Sequence, residues 1–106
     1  MEILLAPGHT PANLVVWVPE DGVVFTGDSV VSDYRPNLAS GGPPDWRAWL
    51  AALDRIEALG ASVLVPGHGR VLRDADEIGP EIDRVRCCLR DALAARQGGT
   101  PATKQR

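Results

Sequence analysis

Apolar residues in this chain gather in short runs separated by proline and glycine. Glu2 to Ala6 (EILLA) stops at Pro7-Gly8, Asn13 to Val18 (NLVVWV) stops at Pro19, and Val23 to Thr26 (VVFT) stops at Gly27-Asp28. Short runs of β-branched and aliphatic residues bounded by turn formers predict strands. Asp21-Gly22 suits a tight reversal, so the second and third runs form a hairpin. Ala61 to Val65 (ASVLV), closed by Pro66-Gly67, gives a fourth strand. The runs are nearly continuous in apolar residues, which predicts a sheet covered on both faces.

Two stretches carry the helical period instead. Trp46, Trp49, Leu50, Leu53 and Ile56 share one face of a helix that starts from Asp45 as N-cap and ends near Leu59, with Gly60 as the stop. Ile78, Ile82, Val85, Leu89 and Leu93 form the stripe of a last helix from about Asp76 to Arg96. Gly79-Pro80 offers an alternative start for it, with Pro80 in the first turn. Ser29 to Pro44 reads as a long loop of the kind that often carries function. The predicted order is β-β-β-α-β-α, a mixed sheet with helices on at least one face, in the α/β (α+β) class.

Composition narrows the function classes. The 106 residues suit one domain, here 1–96, followed by a polar tail at 97–106 expected to be disordered. A net charge of −3 gives no reason to expect nucleic acid or an anionic membrane as partner. No apolar run approaches the roughly 20 residues that span a bilayer. The two cysteines, Cys87 and Cys88, are adjacent and poorly placed to bond each other; with no signal-like start, the chain reads as cytoplasmic.

The chemistry lies in a pattern repeated at three strand ends: Gly8-His9, Gly27-Asp28 and Gly67-His68. Both histidines of the chain fall in it. An up-down-up meander puts the ends of the first and third strands, with His9 and Asp28, on one sheet edge. A right-handed crossover through the first helix brings His68 to the same edge. Ligands bind outside the carboxyl ends of strands in such sheets, and the glycines permit a sharp turn there. Two imidazoles and a carboxylate suit zinc, and also iron or manganese. Each Gly-His or Gly-Asp pair alone is more ordinarily a turn.

The motifs Pro7-Gly8-His9-Thr10-Pro11, Phe25-Thr26-Gly27-Asp28 and Val65-Pro66-Gly67-His68-Gly69 resemble, in order and spacing, the later motifs of the metallo-β-lactamase superfamily. The resemblance covers about Glu2 to Leu93. It implies half of a four-layer αββα sandwich. His9 then looks like the third histidine of the first metal site, Asp28 like the carboxylate bridging two metals at the catalytic centre, and His68 like a histidine of the second site. It further implies up to two zinc ions and a bridging water or hydroxide that attacks carbonyl or phosphoryl centres of small-molecule substrates such as esters, thioesters and lactams.

The family's earlier HxHxDH motif is absent, and two histidines cannot build its dinuclear site in one chain. Asn13 stands where glyoxalase-II-like members carry a second histidine, which argues against a strict member of that group. The expectation is therefore a truncated hydrolase, its sheet face left apolar for a homodimer or a separate N-terminal half. A non-catalytic remnant or interaction module acting through that sheet is the alternative. Ser29, Asp33, Tyr34 and Arg35 follow Asp28 on a loop that could line a cleft, although a solvated loop is the more ordinary reading. Trp46 and Trp49 read as core, Trp17 as a sheet residue, and the cysteines as packing.

Overall fold

The computed structural model of the chain describes residues 1–8, 13–33, 35–38 and 41–98, and the structural statements below concern those residues. The elements are β1 (Glu2–Leu5), β2 (Leu14–Val18), β3 (Val23–Val31), α1 (Pro43–Ala58), β4 (Val63–His68), β5 (Leu72–Arg73) and α2 (Asp74–Gly98). The strands form one sheet in the order β1-β2-β3-β4-β5. β1, β2 and β3 pair antiparallel, while β4 returns parallel to β3 after α1. The meander and the parallel crossover are as the sequence predicts.

Side chains alternate across the sheet because successive Cβ atoms point to opposite faces. The register places Trp17, Val24, Leu64 and Leu72 in one row and Ile3, Val16, Phe25 and Val65 in the next. The first row meets Trp46, Trp49, Leu53 and Ile56 of α1 and Ile78, Ile82, Val85 and Leu89 of α2, which together make the core. Fully burying a side chain such as Leu53 or Ile82 stabilises by about 1.5–3 kcal/mol. Helices cover only this face. On the other, Ile3 is 61% exposed, Leu5 55%, Leu14 50% and Phe25 44%. The expectation of cover on both faces is not met within these residues, although the apolar composition that prompted it is real.

Arg86, on the buried side of α2, holds the two helices together. Its guanidinium reaches Asp54 and Glu57 of α1, each at 2.9 Å, and Asp83 on its own helix. Burial opposes the charge, but the bonds to Glu57 and Asp54 outweigh it and leave the Arg86 pKa above its ordinary value.

Several boundaries differ from expectation for physical reasons. β3 runs on to Val31, so the loop begins three residues later than Ser29, and β4 continues through Pro66-Gly67 to His68. α1 begins at Pro43 behind Gly42; Asp45 is not the N-cap but sits in the first turn, where its carboxylate accepts the Gly42 N–H at 3.0 Å. β5 adds a strand too short to show a period, formed because Leu72 is buried opposite Leu64. α2 begins at Asp74 and passes through Pro80. The N–H that Pro80 lacks would have met the Asp76 carbonyl. Burial of Ile78 and Ile82 on either side holds the turn in place. The helix reaches Gly98, two residues past the expected end at Arg96 and into the stretch expected to be a disordered tail, of which residues 99–106 lie outside those described.

Candidate metal centre

β3 and β4 do not advance in step. Gly27 pairs with Pro66 and Val31 with His68, so four residues of β3 run against two of β4. Such a bulge bends the strand and re-aims a side chain. Asp28 is the first residue in it. A Cβ on Gly67 would collide with Asp28 Oδ1 and with the Gly27 backbone, so the missing side chain of Gly67 is the space the carboxylate occupies. There Asp28 Oδ1 lies 3.2 Å from His68 Nδ1. Asp28 is 35% exposed and His68 69%, so the pair faces solvent where β4 ends.

Two side chains brace the bulge from behind. Asn13 Nδ2 donates to Ser29 Oγ at 2.7 Å and lies 3.4 Å and 3.3 Å from the carbonyls of Ala6 and Thr26. Trp49 Nε1 donates to the Ser29 carbonyl at 2.8 Å. Asn13 thus joins the end of β1 to the Asp28 segment. In that role the position asks for two N–H groups aimed at carbonyls and a hydroxyl, which an amide supplies.

The sequence candidates divide accordingly. Asp28 and His68 are brought together. His9 and Tyr34 lie outside the described residues. Ser29 does not line a cleft: it is 1% exposed, because its hydroxyl and carbonyl are both engaged. Asp33 pairs with Arg70 at 3.1 Å. Arg35 is exposed. Trp46 and Trp49 are core, and Trp17 is half-buried against it. Cys87 is exposed and Cys88 half-buried on α2, both free. Pattern alone does not mark Asn13, Gly67 and Ser32 as builders of the site, since their work depends on tertiary neighbours.

A carboxylate and an imidazole at this separation fit a zinc-type cation in donor chemistry. They do not fill a site. Among the described residues no group of three or more His, Cys, Asp or Glu side chains is placed to hold a metal ion. A catalytic zinc takes three protein ligands and an open position.

Comparison with known proteins assigns the scaffold. Residues 1–68 match the family profile of the metallo-beta-lactamase superfamily. The chain is 30% identical over 95 residues to an atrochrysone carboxyl ACP thioesterase of Aspergillus fumigatus, covering 89% of this chain and 29% of that protein. It is 31% identical over 107 residues to a hydroxyacylglutathione hydrolase of Alkalilimnicola ehrlichii, covering 98% of this chain and 40% of that protein. A metallo-beta-lactamase family protein of Thermus thermophilus superposes with a TM-score of 0.61 at 26% identity, over 92% of this chain and 30% of that one. The chain therefore spans well under half the length of these relatives, and within that span, by profile, sequence and fold, it belongs to the metallo-β-lactamase superfamily.

Proposed function

We propose that this chain supplies part of the active centre of a metal-dependent hydrolase acting on ester, thioester or lactam-type small molecules. The observation that carries the reading is the Asp28–His68 pair, 3.2 Å apart and open to solvent at the end of β4, with Gly67 cleared beneath it. In this reading His9, Asp28 and His68 hold the metal, with zinc the first choice and iron or manganese chemically admissible. A bound zinc-type ion would lower the pKa of water at the site to about 7. The chain's own part is to hold a carboxylate and an imidazole at a fixed separation where a substrate can approach from solvent. The relatives named for thioesterase and hydroxyacylglutathione hydrolase activity support the hydrolytic class.

The remaining ligands would come from a second polypeptide segment covering the bare sheet face, either another copy of this chain or an N-terminal half bearing the HxHxDH motif. The uncovered row of Ile3, Val16, Phe25 and Val65 supports this part of the proposal, because a contiguous apolar face is commonly an interface. The same row supports a second reading, a non-catalytic module that associates through its sheet. No helix among the described residues is long and apolar enough to cross a membrane, and two unbridged cysteines suit a reducing compartment such as the cytoplasm.

Elemental mass spectrometry of the purified chain, with His68→Ala as control, separates the two. We expect near-stoichiometric zinc, iron or manganese that His68→Ala loses. Metal at background in the wild-type chain would overturn the metal reading for the chain by itself and favour the interaction module.

A further inference from the structure

We infer that Ser32 and Arg70 are positioning residues that latch the segment after Asp28 to the segment after His68, and so set the separation of the proposed ligands. The inference rests on the reading of Asp28 and His68 as metal ligands. A bulge as wide as that between Gly27 and Val31 loosens the ladder where the carboxylate departs from it. Something beyond it must restore the alignment of the two strands. The restoration is built from four contacts. The Ser32 N–H donates to the His68 carbonyl at 3.0 Å. The Ser32 hydroxyl, with the residue wholly buried, donates to the Arg70 carbonyl at 2.7 Å. Arg70 Nε meets Asp33 Oδ2 at 3.1 Å, and its Nη1 lies 3.7 Å from Glu77 Oε1 on α2. Behind the latch, Arg84 Nη2 donates to the Val31 carbonyl at 2.7 Å and ties it to α2.

The backbone makes concessions to this contact. Gly69 adopts φ +98°, and a Cβ there would run into the Ser32 carbonyl and hydroxyl. Asp33 takes φ +66°, a left-handed conformation that aspartate tolerates but most residues avoid. Gly69 reaches its conformation without steric cost, whereas the left-handed Asp33 is costly unless its surroundings hold it. The latch is the holding element: one residue past His68 is Gly69, and Ser32 grips the carbonyls of the residues before and after it.

The test uses the full chain with Ser32→Ala and Arg70→Ala. Zinc affinity is measured by competition with a chromophoric chelator, thermal melting on the same samples reports global stability, and hydrogen exchange at the residue-32 amide is read in metal-free protein. The expected result is a loss in zinc affinity of about ten- to a hundredfold, the usual effect of removing a group that orients ligands. It should appear in variants that remain folded at the temperature of the titration. If the wild-type chain takes up zinc and both folded variants bind it equally well, the latch is overturned while the metal reading stands. If the wild-type chain takes up no zinc, the metal reading fails, and exchange at residue 32 decides the latch: about tenfold faster exchange in Arg70→Ala, with α1 amides unchanged, supports it, and unchanged exchange overturns it.

Discussion

At the level of single side chains, the site depends as much on what is missing as on what is present. Asp28 reaches His68 because Gly67 has no Cβ to obstruct it. Gly67→Ala would put a methyl group against Asp28 Oδ1 and the backbone of Gly27, so both strand and carboxylate must shift. Overpacking of this kind costs about 1–3 kcal/mol, and the expected outcome in urea unfolding is a loss in that range with a fall in any zinc affinity. Unchanged stability would mean the bulge is softer than its hydrogen bonds imply. The Asp28–His68 proximity was legible in the sequence, since Gly27-Asp28 and Gly67-His68 stand out as polar interruptions after apolar runs. Gly67 was visible as a turn former but not as clearance for a carboxylate. Asn13 and Ser32 left no local trace, because their partners lie between 7 and 38 residues away along the chain.

At the level of strands and helices, periodicity located the four longer strands and both helices and misplaced several ends. A Gly-Asp-Ser interruption reads as a turn in any local window, yet β3 carries it as a bulge because Asn13 and Trp49 satisfy Ser29 from other elements. Tertiary bonding, absent from the sequence window, decided the boundary. The α1–α2 contact was legible only as two apolar stripes; the Arg86 cluster that joins the helices was not. Arg86 has a buried Nε without a hydrogen-bond partner, while its carboxylate partners Asp54, Glu57 and Asp83 are 71%, 49% and 63% exposed. Water can therefore take over the carboxylates when the guanidinium is removed. Arg86→Met, which keeps an apolar stem in place, is expected to cost only about 1 kcal/mol in chemical denaturation, within the range of exposed ion pairs. A loss several times larger would show that the cluster behaves as a buried network.

At the level of the molecule, two deficits meet: a proposed site short of ligands and a sheet short of cover. Nearly continuous apolar strands predict two buried faces, and the helices bury only one. The apolar character read from the sequence is present on the second face, and no helix among the described residues covers it. Removing that face from water is favourable at about 25 cal/mol per Å² of apolar surface, which drives association wherever a complementary face is present. A second copy of the chain always supplies one, since an isologous pair brings the same patch to both sides. The purified chain is accordingly expected to sediment as a dimer or larger species at micromolar concentration. Phe25→Lys places a charge in the middle of the row formed by Ile3, Val16, Phe25 and Val65, on the face away from the helical core. It should shift the chain toward monomer with its circular dichroism unchanged, because a 44% exposed side chain is not needed to fill the core. Sedimentation velocity on both proteins decides the matter: a wild-type chain that runs as a single monomeric species would show that the apolar face alone does not drive self-association.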